Sequence, residues 1–135
     1  MKIAVLAPVP ALILTLGWAA AAPAAEVDRS KLPPEPEGFA LEGDPQAGAE
    51  VYRKSCGVCH GPEGEGDGRV RSKPPPRDLT DPEALKTSTD WELYQVIKSG
   101  GRVLGLAPSM LAWDDMLEEE EIRDVAAYVR SLSEE

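Results

Sequence analysis

The chain has 135 residues, with 24 acidic and 14 basic side chains and a formal net charge of −10, which is enough sequence for one small domain. The acidic balance argues against a nucleic-acid partner. Only 5% of the residues are aromatic, and a domain of this size buries little more than about 60% of the surface of its unfolded chain. The side chains alone therefore predict a thin hydrophobic core.

Residues 1–24 have the features of a secretory signal peptide. Lys2 precedes the largely apolar segment 3–18, and Ala22-Pro23-Ala24 supplies the small-x-small cleavage pattern. The segment contains two prolines and is shorter than the roughly 20 residues of a membrane span. We expect cleavage near Ala24, export to the periplasm or a comparable compartment, and no stable membrane insertion afterwards; a retained anchor is the alternative.

Residues 25–43 are predicted to be a proline-rich acidic tail in front of a single domain at 44–135. Pro33-Pro34-Glu35-Pro36 favours polyproline II and excludes a helix or a central strand. The tail is then an extended spacer, either mobile or lying on the surface, and a disordered end without a function is the alternative.

Asp44 and Pro45 predict the start of the first helix, because Asp is a preferred N-cap and Pro suits the first helical position. Apolar residues recur at helical spacing as far as Tyr52, and we expect the helix to end near Ser55. Gly48 inside this helix costs about 1 kcal/mol relative to alanine, which suggests that a close approach requires it.

The five residues Cys56-Gly57-Val58-Cys59-His60 are typical of a c-type haem attachment site. Each thiol can add to one vinyl group of a single haem and form a thioether. His60, the only histidine of the chain, is then placed to bind the iron. The porphyrin would also fill the thin core, so we expect the haem-free protein to be unfolded or molten.

Three other interpretations of this motif explain less. A zinc site needs a fourth ligand and usually a second Cys or His pair, which the chain lacks. A thioredoxin-like Cys-x-x-Cys belongs beside a βαβ pattern, and the sequence has no strand-rich pattern. A disulfide between Cys56 and Cys59 would leave His60 without a role.

The segment after the motif is predicted to be a loop. Residues 61–68 are glycine-rich but lack the preceding strand and the Gly-Lys-Ser/Thr ending of a phosphate-binding loop, and the prolines at 74–76 fix an extended path. Four basic residues follow the motif: Arg69, Arg71, Lys73 and Arg77. They form either an ordinary solvated face or the basic end of a dipolar molecule that meets an acidic partner.

Two further helices are predicted. Thr89 and Glu92 form a capping box, and Gly100-Gly101 ends this helix. The last helix is expected from about residue 117 to residue 132, with an apolar stripe and with glutamates in its first turn, where they favour the helix dipole. The predicted fold class is therefore all-α, with about three main helices and no significant sheet.

With these features the chain resembles the class I c-type cytochromes, the monohaem cytochrome c family. The haem motif is shared, Met110-Leu111-Ala112-Trp113 resembles the family's Met-Pro-x-Trp before the last helix, and residues 122–132 resemble its C-terminal helix. The resemblance covers about residues 45–133. It implies a cytochrome c fold, with helices and loops wrapped round one covalently bound haem c.

The resemblance also implies the residues of the site. Cys56 and Cys59 hold the haem covalently, and His60 and Met110 are the axial ligands of its iron. Leu111 stands where the family usually has Pro, which makes the loop that carries Met110 less rigid.

Other positions receive structural roles from the same resemblance. A proline carbonyl supports the iron-binding histidine in the family, which leaves residues 74–76 and Pro62 as candidates. Gly48 and Tyr128 match positions at which the first and last helices cross closely. Independently of the resemblance, Met116 is the other candidate for the second axial ligand, and its position before the last helix favours a core residue.

The function that the resemblance implies is single-electron transfer by a soluble monomer, without catalysis, between redox enzymes such as a dehydrogenase or bc-type complex and a terminal oxidase. His/Met ligation suits this role because the thioether favours Fe(II) and fills the last axial position. One alternative is a haem c subunit or domain of a larger oxidase or dehydrogenase complex, with the tail as its tether. Another is a ligand-binding haem sensor or peroxidase-like protein with an open iron.

Overall fold

The computed structural model describes residues 26–134, so the predicted signal peptide at 1–24 lies outside the described residues. Within residues 26–134 the chain forms helices and loops and no strand, which confirms the all-α prediction. The helices are α1 (Pro45–Ser55), α2 (Gly57–His60), α3 (Pro82–Leu85), α4 (Asp90–Ser99) and α5 (Glu119–Leu132), preceded by a 3₁₀ helix at Arg29–Lys31. None of the described helices is long and apolar enough to cross a membrane.

The three longest helices of the described residues, α1, α4 and α5, are the ones that the sequence predicts. At the start of α1 the carboxylate of Asp44 accepts the Gln46 N–H at 2.8 Å. At the start of α4 the side chains of Thr89 and Glu92 each accept the other residue's backbone N–H at 3.1 Å. The predicted capping box is therefore confirmed.

Helix α5 begins at Glu119, slightly later than the sequence predicts. The N–H of Leu117 donates to the Trp113 carbonyl at 2.9 Å, so Leu117 belongs to the turn before the helix. Glu118 occupies the N-cap position, and its N–H donates to the carboxylate of Glu121 at 2.9 Å. This contact fixes the helix start without the Ser or Thr that is usual there.

Helices α1 and α5 cross at Gly48. A Cβ atom at this position would lie 2.0 Å from the carbonyl oxygen of Asp124 and 2.9 Å from the Cβ atom of Tyr128, so only glycine permits the approach. The rings of Tyr52 and Tyr128 pack with their centroids 5.1 Å apart. The predicted close crossing of the first and last helices is confirmed.

Two one-turn helices, α2 and α3, are absent from the sequence-based prediction. Helix α2 continues almost directly from α1. At the start of α3 the carboxylate of Asp81 accepts the Glu83 N–H at 2.9 Å, and Pro82 stands at the first helical position. This is the same Asp-Pro signal that starts α1, so the sequence does contain the information for α3.

The hydrophobic core is formed mainly by α1, α4 and α5. Its largest fully buried side chains include Tyr52, Ile122 and Val125. Cys56 and Leu79, from the segment between α1 and α3, belong to the same core cluster. The first cysteine of the predicted haem motif is therefore also a core residue.

The predicted tail at residues 26–43 contacts the rest of the chain at several points. The Asp28 N–H donates to the Leu104 carbonyl at 2.8 Å, and the Trp91 Nε1–H donates to the Pro33 carbonyl at 3.0 Å. The Phe39 ring packs edge-on against Trp91 with a centroid distance of 4.8 Å. The tail lies on the surface, and the domain boundary between residues 43 and 44 stays a prediction.

Candidate functional site

The side chains of the predicted haem motif share one face of a helical turn. Cys56 caps α1, and its N–H donates to the Tyr52 carbonyl at 2.8 Å. The N–H groups of Cys59 and His60 both donate to the Cys56 carbonyl, at 3.1 and 2.9 Å. Residues at i, i+3 and i+4 are neighbours on a helix surface, so Cys56, at the N-cap of α2, lies on the same side of the turn as Cys59 and His60.

The Cys56 thiol lacks the lowered pKa of a redox-active cysteine. Both thiols of the motif are free, and Cys56 is buried whereas Cys59 is half-buried. Burial raises the pKa of the Cys56 thiol to about 12, and the neighbouring Cys59 adds to the rise, whereas a redox-active cysteine normally has a lowered pKa. Among residues 26–134, no three His, Cys, Asp or Glu side chains lie close enough together to hold a metal ion.

The imidazole of His60 is incompletely bonded. The ring is half-buried, and its Nδ1 atom is buried without a hydrogen-bond partner among residues 26–134. Burial lowers the pKa of His60, and the backbone of Arg77 acts in the opposite direction. The ring is therefore neutral at neutral pH, the form in which histidine binds metals. Buried polar atoms without partners are uncommon, so this one fits a site that a bound group completes.

The backbone that acts on the imidazole belongs to Arg77, the residue that directly follows the prolines at 74–76. Sequence reasoning offers those prolines and Pro62 as the support of His60, which stays a prediction, and does not name Arg77 for this role. The resemblance points to a residue type, whereas the path of the loop decides which backbone group reaches the ring. No local signal in the sequence singles out Arg77 for this place.

The loop after α2 folds back onto it through backbone contacts. Gly68 has no room for a side chain, because a Cβ atom there would lie 2.3 Å from the carbonyl oxygen of Cys59. The Val70 N–H donates to the Val58 carbonyl at 3.0 Å. The basic segment at residues 69–73 therefore lies directly beside the turn that carries the cysteines.

Tyr52 supports the site in a way that sequence reasoning misses. Its buried hydroxyl donates to the Gly61 carbonyl at 2.9 Å, and burial raises its pKa above the ordinary value. The neutral hydroxyl thereby ties α1 to the residue that follows His60. Its spacing of four residues before Cys56 is the only hint in the sequence, and that spacing equally describes an apolar helix face.

Met110 lies in the segment between α4 and α5 that we call the methionine loop (residues 100–114). Its N–H donates to the Ala107 carbonyl and its carbonyl accepts the Gly101 N–H, both at 3.0 Å. The half-buried side chain packs against the core cluster that also contains Cys56. The structure thus places Met110 and the cysteine–histidine turn on the same core, although they come from separate parts of the chain.

The interpretation of Met116 as a core residue is wrong. Its side chain is 55% exposed, and the neighbouring Leu117 packs against the core instead. Leu111, directly after Met110, is also 58% exposed. Of the methionines at positions 110 and 116, only Met110 contacts the core cluster.

A family model and a curated relative match the chain. The family described as cytochrome c oxidase, cbb3-type, subunit III matches residues 43–129. The cbb3-type cytochrome c oxidase subunit FixP of Bradyrhizobium sp. (strain ORS 278) is 33% identical over 89 residues, which are 66% of this chain and 28% of FixP. The chain therefore spans little more than a quarter of the length of that relative.

Two solved structures have a similar fold. Cytochrome c6 from the diatom Phaeodactylum tricornutum is 26% identical, with a TM-score of 0.50 over 68% of this chain and 97% of that one. A chain of the reducing HAO-like protein complex of Kuenenia stuttgartiensis is 27% identical, with a TM-score of 0.57 over 74% of this chain and 50% of that one. The part of this chain that matches cytochrome c6 is therefore equivalent to an entire small domain.

Proposed function

The chain belongs to the cytochrome c family that includes subunit III of cbb3-type cytochrome c oxidase, and from this premise we propose that it is a monohaem single-electron carrier with His60 and Met110 as the axial ligands of the iron. Membership of the family brings with it a covalently bound haem c and a role in electron transport. The proposal adds the ligands, the number of haems and the mode of action.

The observation that carries the proposal is the arrangement of Cys56, at the N-cap of α2, on the same side of the turn as Cys59 and His60. A neutral buried thiol, a second free thiol and a neutral imidazole with an unpartnered nitrogen lie within one helical turn. Cys56 and Cys59 would each add S–H across one vinyl group, so that a carbon–sulfur bond forms and the hydrogen passes to the adjacent carbon. When bound, the haem supplies an iron that gains and loses one electron.

Met110 is the proposed second ligand because its side chain packs against the core cluster that contains Cys56. A thioether ligand favours Fe(II) and raises the reduction potential. With the imidazole of His60 and the thioether of Met110 both bound to the iron, no coordination position would be left for a substrate. This supports a carrier without catalysis rather than a sensor or peroxidase-like protein with an open iron.

Replacement of Met110 by alanine tests the ligand assignment, and Met116→Ala is the matched control because Met116 is exposed. We expect Met110→Ala to lower the reduction potential and to bind carbon monoxide rapidly in the reduced state, whereas Met116→Ala behaves like the wild type. If the wild-type protein binds carbon monoxide as fast as Met110→Ala does, Met110 is not a firm ligand. The mass and visible spectrum of the purified protein test for a single covalent haem.

The basic segment beside α2 supports docking to an acidic surface of a redox partner. Arg69, Arg71 and Lys73 are exposed, and within residues 26–134 none of them forms an ion pair, whereas Arg123 and Arg130 on α5 both pair with carboxylates. An otherwise acidic molecule therefore keeps unneutralised positive charge next to its cysteine–histidine turn. Such a field steers an acidic partner to that face.

Small redox reagents of opposite charge test this local field before a partner is identified. Replacement of Arg69, Arg71 and Lys73 by serine should slow reduction of hexacyanoferrate, an anion, and speed reduction of a cationic cobalt complex, with both effects fading at high salt. The control replaces three cations that already lie in exposed ion pairs: Lys31, Arg53 and Lys86. Equal effects in the two triple variants would remove the basic segment as the docking face.

A subunit of a larger oxidase is the second candidate, because FixP is by name an oxidase subunit and this chain spans 28% of it. Gel filtration of a native extract separates the two functions: a haem-containing species near the monomer mass supports the free carrier, and co-elution with an oxidase supports the subunit. We also propose export with cleavage near Ala24, which the N-terminal residue of the mature protein tests.

A further inference from the structure

We propose that Asp28 and Arg29 are positioning residues for Met110, and that the strap (residues 26–34) holds the methionine loop in place from outside the core. The inference rests on the proposed ligand role of Met110. This part of the predicted tail then has a structural role at the haem site itself, in addition to any role as a spacer or tether.

The strap is anchored by Arg29 on a carboxylate that is almost fully buried. The guanidinium donates its Nε hydrogen to Glu92 Oε1 and an Nη2 hydrogen to the Thr87 carbonyl at 2.8 Å. The Glu92 side chain is 5% exposed, and the Arg29 side chain is 62% exposed. The strap therefore pairs a solvent-exposed cation with a buried carboxylate. A buried carboxylate that loses its cation is left uncompensated, which makes this the firmest contact of the strap.

A series of three backbone hydrogen bonds leads from Asp28 to Met110. The Asp28 N–H donates to the Leu104 carbonyl at 2.8 Å, the Leu104 N–H to the Gly101 carbonyl at 3.2 Å, and the Gly101 N–H to the Met110 carbonyl at 3.0 Å. Leu104, the middle of the series, is 2% exposed. The fit beside it is close, because a Cβ atom at Gly105 would lie 3.1 Å from the Cβ atom of Asp28.

The strap is fixed on both sides of these contacts. The carboxylate of Asp28 caps the 3₁₀ helix by accepting the Ser30 N–H at 3.2 Å, so Asp28 and Arg29 belong to one ordered turn. Farther along, the Pro33 carbonyl accepts the Trp91 Nε1–H at 3.0 Å. One turn of the strap therefore joins α4, through Arg29, to the methionine loop, through Asp28.

The methionine loop needs external support because it contains no helix of its own. Val103 and Leu111 are 50% and 58% exposed, and Leu111 stands where the related family has a restraining proline. Segments with few buried apolar contacts open most easily in native proteins. The strap contacts the loop only in its closed form, and these contacts are lost when the loop opens. They therefore shift the equilibrium between the open and closed loop toward the closed form that holds Met110.

Hydrogen exchange of the haem-loaded, full mature protein tests the inference without using electron transfer. The double variant Arg29→Ala/Glu92→Gln removes the anchor and leaves no buried unpaired charge, and glutamine still serves the capping box of α4. We expect the Gly101 amide to exchange about tenfold faster in this variant, with the amides of α5 unchanged. Arg53→Ala removes an exposed Arg–Glu pair on α1 and should leave the Gly101 amide as it is in the wild type.

Carbon monoxide binding to the reduced protein gives a second readout, and it should be several-fold faster in the double variant than in Arg53→Ala. Unchanged exchange at Gly101 in the double variant overturns the inference. So does an equal acceleration in α5, because that would be a general loss of stability. Failure of the proposed function gives a different result. If Met110→Ala leaves the spectrum and the carbon monoxide rate unchanged, Met110 is not a ligand of the iron. The inference about the positioning of Met110 is then wrong as well, whatever the hydrogen exchange shows.

Discussion

The two sides of the candidate haem site are held in different ways. On the cysteine–histidine side, the motif at residues 56–60 is fixed by hydrogen bonds within a single helical turn. On the methionine side, Met110 sits in a loop that contacts Asp28 through Leu104, and the anchor of that contact joins residues 63 positions apart in the sequence. The motif is held mainly by contacts within its own turn and with the loop that follows it, whereas the methionine side depends on more distant parts of the chain.

This difference predicts which side of the candidate haem site opens more easily. Contacts within one turn re-form as soon as they break, because little chain entropy is lost in closing them. Long-range contacts are lost when either partner segment moves, and several must be restored together. We therefore expect the motif at residues 56–60 to stay in place while the methionine loop opens and closes.

Removal of both thiols should have the largest effect, because it would leave no haem site whose two sides could be compared. Cys56→Ala/Cys59→Ala cannot attach haem covalently, and a chain with only 5% aromatic residues is left with a thin core. We expect the mass of the bare polypeptide, loss of the near-UV circular dichroism signal and loss of cooperative thermal unfolding. A haem-free product that unfolds cooperatively, with a native-like spectrum, would contradict this expectation.

The helix crossing joins the two sides, since α1 leads into the cysteine–histidine turn and α5 follows the methionine loop. Gly48→Ala should destabilise the protein by about 3 kcal/mol, because the new methyl group would meet the backbone of Asp124. Gly57→Ala is the matched control, since a Cβ atom there would lie 3.6 Å from its nearest neighbour, an ordinary contact. We expect it to be neutral or to stabilise by up to about 1 kcal/mol.

Denaturant unfolding of the two haem-loaded variants measures both free energies. Similar stabilities for Gly48→Ala and Gly57→Ala would mean that α1 and α5 can move apart without loss. The haem site would then tolerate a looser crossing than the structure describes.

The local side of the site is the side that the sequence predicts well. The helix caps at Asp44 and Thr89 and the motif at residues 56–60 all use contacts between residues at most four positions apart, so spacing alone reveals them. The anchor between Arg29 and Glu92 has no such signal. Glu92 is recognisable as part of a capping box, but its second partner lies far away, and the polarity of Arg29 suggests only a solvated tail residue.

Burial is the other property that pattern reasoning handles poorly here. The exposure of Met116 is not visible in the sequence, because Met116 and Leu117 are both apolar and adjacent, and the turn before α5 decides which one faces the core. Met110 is proposed as a ligand through the family resemblance rather than through spacing. The path of the chain between α4 and α5 decides where Met110, Met116 and Leu117 lie, and no short motif encodes that path.

Acid should weaken the methionine side through Glu92. Burial alone would raise the pKa of Glu92, but hydrogen bonds from Arg29 and the Thr89 N–H, together with the charge of Arg29, lower it below the ordinary value of 4.5. A carboxyl group with a lowered folded-state pKa stabilises the protein above its unfolded-state pKa, and the stabilisation is lost as the pH falls through the folded value. Glu26 and Arg77 line the same small cavity as Glu92 and are kept unchanged in the test.

The free energy of unfolding of the wild type should therefore fall by about 1 kcal/mol more than that of Glu92→Gln as the pH is lowered from about 6 to about 3. Glu83→Gln is the control, since Glu83 lies in an exposed pair with Lys86 and should leave the pH dependence nearly as in the wild type. Parallel curves for the wild type and Glu92→Gln would show that the anchor does not depend on the charge of Glu92.

Leu111→Pro should have the smallest effect. It should make the methionine loop open less easily, and so bring the methionine side closer in rigidity to the cysteine–histidine side. Leu111 is 58% exposed, so little apolar contact is lost, and proline reduces the freedom of the unfolded chain and of Met110 before it. We expect a gain of about 0.5 kcal/mol in stability and carbon monoxide binding about twofold slower than in Leu111→Ala, which loses the side chain without adding the restraint. Lower stability and faster binding would mean that the backbone at Met110 is incompatible with a following proline. If the expected result is found, adding Leu111→Pro to Arg29→Ala/Glu92→Gln should partly restore slow binding, because both changes act on the same opening of the methionine loop.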